Sequence, residues 1–424
     1  MTTPTHAPPT AFRWHEACAA GPHRRIRDAV LRATGFDLFP SDAVAEEFAR
    51  LRTVGDPLAE RFVAATTDDA LAPERTRAFV DAALADGVEA AITALELDDA
   101  AAAAARALFM EFETAPDWLD PTLIEEGAAV WRRWGYDLGA VGNAGTLDTY
   151  TEGSLAVPLS LSGGYAGASA LHRFLETSRW WIEVSRPGAL LTPGSRGRAL
   201  SLKVRVMHVA VRRGVQRHPE WDAERWGLPI SQAEMLLTLL GGSVGPASGL
   251  YALGYLTSPR EIRASLHFNR YLGHLLGAQP DPIYPTTITD GLRLLFMFDA
   301  ARSYDAGEAG RELIESFVPA FAPQPGQRWR DRLRARWHLS VQAGHTRLFM
   351  LPWNRQEYRL PPSAPGVTYL AARFPLVAAI EFARHLSPTV DRAWQRQSVV
   401  GWERWHRWAL GNEAEAFSAG TLRR

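Results

Sequence analysis

The chain has 424 residues, 46% of them apolar and 22% charged, an ordinary composition for one large globular domain or two smaller ones. Lys and Arg number 46 against 47 Asp and Glu, and a net charge of −1 gives no reason to expect nucleic acid or an anionic membrane surface as the main partner. A single cysteine, Cys18, excludes an intramolecular disulfide and any Cys-based zinc or iron–sulfur site, and it fits a reducing, cytoplasmic home.

In chain order, residues 1–25 are rich in Pro and Thr and contain no apolar run of the kind a signal peptide carries. They read as a flexible N-terminal arm before one helical domain over 26–424. Ser41 to Arg52 opens with a capping signal and an acidic first turn. Pro73 to Leu97 and the alanine-rich Asp98 to Glu113 are helical by pattern and propensity. Asp120-Pro121 restarts a helix carrying Leu123, Ile124, Val130 and Trp131. Two long stretches then lack charge: Ser154 to His172 and Leu236 to Pro259. The second has the length of a membrane span, but Gly241, Gly242, Gly245, Pro246 and Gly249 interrupt it, and it reads as buried core with no integral span. Proline breaks at Pro319 to Pro325 and Pro361 to Pro365 punctuate a helical last third that ends in Trp394, Trp402, Trp405 and Trp408. Alternation at period two is scarce, so the expected fold class is all-α.

No zinc-protease, serine-hydrolase, P-loop or dinucleotide signature is present, which leaves the twelve histidines. His208 lies in a helix-length stretch, Ala199 to Val215, with Val204, Met207 and Val211 on its side and Arg205 and Arg212 within one turn. An imidazole there can ligate a haem iron, with the two guanidiniums pairing to the propionates. The plain alternative is a core histidine bonded to a backbone carbonyl. A second cluster is Arg173-Phe-Leu-Glu176-Thr177, where Arg173 and Thr177 share a face. Its functional reading is a distal pocket for dioxygen; its plain reading is an Arg–Glu surface pair.

These two motifs occur in order with three more: Leu51 to Glu60 with its Val54-Gly55-Asp56-Pro57-Leu58, Gly227-Leu228-Pro229-Ile230-Ser231-Gln232-Ala233-Glu234 followed by Thr238, and Phe268 to Gly277. Together, over residues 35 to 300, they resemble the haem oxygenase family that includes the latex-clearing proteins (rubber oxygenases) and, more distantly, the oxygenases of mycophenolic acid biosynthesis. The resemblance implies a globin-like helical bundle around haem b, with His208 as the proximal iron ligand, Arg173 and Thr177 on the distal side, Arg212 one turn past the ligand and Thr238 in the pocket. At 176 the latex-clearing proteins carry a Lys; this chain has Glu176, and Glu176 and Glu152 are both candidates for the catalytic carboxylate. The expected activity is a dioxygen-using oxygenase that cleaves or inserts oxygen at a C=C bond of a hydrophobic small molecule, in a pocket including Leu236, Leu239 and Leu240. A haem carrier or gas sensor without turnover, and a haem-free helical scaffold, stay open as other readings.

Overall fold

A computed structural model describes residues 8–67, 74–163 and 169–410. Among them every regular element is helical: twenty-one α-helices and two 3-10 turns. The first are α1 (Trp14–Ala19) and α2 (Pro22–Thr34). They correct the expectation of a loose arm reaching residue 25. The N–H groups of Thr10 and Ala11 donate to the carbonyls of Glu224 and Arg225 at 3.1 and 3.0 Å, and that of Arg13 donates to Ala301 at 3.0 Å. Trp14 is only 3% exposed. Burying so large an indole favours docking of a segment whose composition alone reads as loose. Residues 1–7 of the arm lie outside the described residues.

α3 (Asp42–Leu51) follows Ser41, whose side chain makes no cap hydrogen bond despite the capping signal in the sequence, and α4 (Pro57–Thr66) begins where the Asp56 side chain accepts from Ala59 N–H at 3.1 Å. After α5 (Glu74–Asp86) and α6 (Val88–Ala94), Asp98 caps α7 (Asp99–Glu113). Asp120 caps α8 (Pro121–Thr149) by accepting from the N–H groups of Thr122 and Leu123, and Pro121 fits the first turn, where no N–H is needed. Then come α9 (Gly153–Leu161), α10 (Ser169–Val184), α11 (Arg196–Gln216), α12 (Ala223–Trp226), α13 (Gln232–Gly241), α14 (Val244–Leu250), α15 (Pro259–Leu275) and α16 (Ile288–Ala300). The last third supplies α17 (Gly307–Phe317), α18 (Trp329–Phe349), α19 (Pro352–Gln356), α20 (Ala364–Leu386) and α21 (Pro388–Leu410).

The 29-residue α8 is the hub, packed against α15, α18 and α21. Gly127 lets α15 approach: a Cβ there would lie 2.4 Å from Phe268 Cβ and 2.5 Å from the Ala264 carbonyl oxygen. Trp131 then meets Phe268 edge-on with ring centroids 5.0 Å apart. The second uncharged stretch is core, as its glycines imply. It breaks into α13, α14 and a 3-10 turn at Tyr251–Leu253, and Leu236, Leu239 and Leu240 are buried in the main core. Gly242 admits Trp131, whose indole N–H donates to the Gly242 carbonyl at 2.7 Å.

Candidate functional site

Helices α10 and α11 run antiparallel, joined by the short 185–195 connection. They nearly touch at one end: a Cβ on Gly197 would lie 3.0 Å from the Glu183 carbonyl oxygen and 3.1 Å from Val184 Cα. One turn on, Trp180 Nε1–H donates to Ser201 Oγ across the pair at 3.1 Å. At 1.5 Å per residue on both helices, the same register sets Thr177 level with Val204 and Arg173 level with His208. Two candidate groups far apart in sequence thus fall on facing positions of one helix pair. Toward that end the facing residues lose their cover: Val204, Met207, His208 and Val211 on α11, and His172, Arg173 and Thr177 on α10, are all part-exposed, whereas Val184, Trp180 and Ser201 are buried. We read the pair as a wedge, close-packed at Gly197 and least covered at Arg173 and His208.

The back of α11 is fixed by ion pairs. Arg205, Val209 and Arg212 share one helical face. Arg205 is fully buried; its Nε donates to Asp56 Oδ2 at 2.7 Å, its Nη2 to Asp56 Oδ1 at 3.1 Å and its Nη1 to Glu111 Oε2 at 2.6 Å. Arg212 donates to the Pro229 carbonyl at 3.0 Å, to Glu60 at 2.9 Å and to the Ile230 carbonyl. Gln232 ties in the remaining strands of the knot, donating to the carbonyls of Gly55 and Gly277 and accepting from Gln279 N–H. Gly277, at φ +77°, has no room for a side chain: a Cβ would lie 2.0 Å from Asp56 Oδ2. Both guanidiniums, expected from the sequence to pair with haem propionates, here hold carboxylates and carbonyls of the protein, and four of the five sequence motifs meet to anchor α11. Asp56, Glu60, Glu111, Gln232 and Gly277 were not assigned this task from sequence, although Gly-Asp-Pro and Ser-Gln lay inside quoted motifs. Arg205→Ala would leave Asp56 buried without its cation, and a loss of about 3–5 kcal/mol in unfolding free energy is expected from denaturant titration.

His208 sits at the edge between this anchored face and the wedge. Its Nδ1 is shielded from solvent and meets no hydrogen-bond partner. Burial, with the Arg212 charge adding to it, pushes its pKa down to about 4. The imidazole is thus neutral at pH 7 and has a lone pair for a metal, the protonation state that ligation requires. A cavity of about 10 Å³, lined by His208, Arg212, Met235 and Gly277 among others, has room for about one water on the anchored side.

The distal candidates are placed as follows. Arg173 Nη1 donates to Glu176 Oε2 at 2.7 Å, and His172 Nε2 stands 3.4 Å from Glu176 Oε1. Burial raises the Glu176 pKa, opposed by Arg173 and His172. Thr177 Oγ1 donates to the Arg173 carbonyl at 3.1 Å, so its proton lies on its own helix. Thr238, exposed on α13, does the same toward the Glu234 carbonyl at 2.9 Å. Glu152 is fully buried and held by Arg52 at 3.0 Å and by Ser303 N–H and Oγ at 2.8 and 2.9 Å. Of the two carboxylate candidates, Glu176 is the one beside Arg173.

Glu234 was quoted only as part of a motif. One oxygen accepts from Ser231 N–H at 2.9 Å in a capping box, and Oε1 is buried without a partner. Burial pushes its pKa up to about 7, against the Arg52 charge, the Ser231 N–H and the Ser154 hydroxyl. The folded state therefore holds this proton where the unfolded state, near 4.5, has released it. The associated stability is present at acid pH and is lost as pH rises through about 7. Glu234→Gln keeps an acceptor for the cap and has no proton to lose. Urea midpoints should show the variant gaining on the parent between pH 5 and pH 8, by up to about 3 kcal/mol.

Comparison with known proteins places the chain in a family. The fold is similar to that of a solved latex clearing protein in its closed state, with a TM-score of 0.54 and 18% identity, covering 88% of this chain and 95% of that one. The family described as "ER-bound oxygenase mpaB/B'/Rubber oxygenase, catalytic domain" matches residues 128–384. That is more than half of the sequence, and the chain belongs to this family of oxygenases. The match continues past residue 300, where the motifs gave out, and takes in α18 and α20. Among curated proteins no sequence matches.

Proposed function

We propose that the protein is a haem b-dependent oxygenase, with His208 as the axial ligand, acting on a hydrophobic, unsaturated small molecule by oxidative cleavage of, or oxygen insertion at, its C=C bond. The observation that carries this is a neutral imidazole with an unpartnered nitrogen, on a helix anchored from behind, level with Arg173 at the least covered end of the α10–α11 pair. When bound there, a haem would supply the iron that takes up and activates dioxygen. The chain's own groups do the rest. Val204, Met207 and Val211 would give a haem an apolar wall on one side. Arg173 holds a fixed positive charge facing that wall, where charge builds on oxygen. Glu176, with its pKa raised by burial, can hold or release a proton beside it. A neutral imidazole pushes less electron density than a thiolate, which favours an electron-rich alkene over an unactivated C–H bond.

The test is haem content by Soret absorbance, followed by oxygen uptake with a long-chain alkene. Stoichiometric haem and alkene-dependent uptake are expected. Haem without uptake across a panel of alkenes would favour a carrier or sensor, and protein without haem would remove the proposal.

A further inference from the structure

Helix α20 is turned inside out. Its three formally charged residues face the protein: Arg373 donates to buried Asp137 at 2.9 Å, Arg384 pairs with Glu261 at 2.7 Å and with Glu381 at 2.8 Å, and Glu381 is fully buried. The outward positions are apolar. Phe374 is 41% exposed, Leu376 63%, Phe382 63% and Leu386 73%, with exposed Ala372 and Ala379 between them. Only 22% of its most apolar window is buried. A water-facing helix normally shows the opposite polarity, and a contiguous apolar patch of this kind marks a contact surface.

The neighbour says what the surface contacts. α18 packs antiparallel on α20: Gly344 abuts Gly366, and Trp337 lies edge-on to Tyr369 at 4.5 Å. Trp329, Leu333 and Trp337, at successive turns of α18, are 66%, 52% and 45% exposed. Around them Arg328, Arg330, Arg332, Arg334 and Arg336 are all exposed, against one acid, Asp331. Apolar side chains, indoles and a dense positive rim on one face are the combination that lies in the headgroup layer of an anionic bilayer.

We propose that the joined outer faces of α18 and α20 dock the protein onto an anionic lipid surface, lying in its plane. α20 does not span, because its inward arginines are locked to carboxylates of the folded domain. A second copy of the chain is the poorer occupant. A twofold contact would bring two copies of this arginine-rimmed patch together, adding like charge to like charge. The positive charge was invisible in the net balance of −1 because acids elsewhere cancel it.

The experiment is co-sedimentation of the full chain with phosphatidylcholine vesicles, with and without phosphatidylserine at roughly one third of the lipid. Binding is expected to the mixed vesicles, weak binding to the neutral ones, and release at high salt. Phe382→Glu with Leu376→Glu, and separately Arg330→Glu with Arg332→Glu, should each lower the partition coefficient at least about tenfold. Both pairs are exposed, so circular dichroism melting should be unchanged. No binding by the parent chain, or equal binding by parent and variants, overturns the proposal. So does a dimer in sedimentation velocity that Leu376→Glu dissolves while vesicles bind nothing.

Discussion

Replacing His208 by alanine is expected to leave the purified protein without stoichiometric haem while its helix content and melting stay close to those of the parent. Two features separate these outcomes. The imidazole contributes no hydrogen bond through Nδ1, so its removal breaks no internal tie there. The helix that carries it is held by Arg205 and Arg212, not by the histidine. Two other histidines serve as controls. His267 Nε2 accepts from Asp120 N–H at 3.0 Å at the start of α8, and His274 stacks on Tyr271 beside Glu111. Their alanine variants should keep full Soret absorbance per mole of protein. A full haem complement in His208→Ala would show the ligand to be elsewhere.

The second large effect is expected at Arg173. Arg173→Ala should retain haem and carbon monoxide binding but lose turnover by about 100-fold, the usual weight of one well-placed donor to a charge-developing oxygen. Thr177→Ala is expected to fall in the same direction. Its loss requires the hydroxyl to leave the Arg173 carbonyl on substrate binding, because that carbonyl takes its proton in the resting structure. Oxygen uptake and haem content measured on the same two preparations decide the matter. If both variants turn over normally with haem intact, the Arg173–Glu176 contact is a structural pair and the distal assignment is wrong.

Much of the architecture was legible because helices are written locally. Asp120-Pro121 announces the start of α8, and the glycines of 241–249 announce a buried crossing, whereas the capping signal at Ser41 makes no side-chain bond to α3. What the linear chain hides is which partner a charge meets. Arg205 and Arg212 look available when read beside His208, since Asp56 and Glu60 lie about 150 residues upstream, within hydrogen-bond reach only after folding. The N-terminal arm was misread for a related reason: composition says loose, and one buried indole at Trp14 outweighs it. The facing of Arg173 and His208 was suggested by resemblance, and the α10–α11 register supplies a geometric reason for it. In α20 a hydropathy count finds few charges, but only the fold reveals that those few point inward.

The anchoring of α11 has a thermodynamic consequence for cofactor capture. A ligand helix that is ordered only when its metal arrives must subtract that ordering from the affinity it gains. Here Asp56, Glu111 and Glu60 fix α11 through protein contacts alone, so the order of the helix that carries the proposed ligand does not rest on coordination. Nearly all of the coordination free energy can then appear as binding, and little is diverted to conformational entropy. On the proposed reading of His208, haem entry would then be a docking step onto a helix that Arg205 and Arg212 already hold.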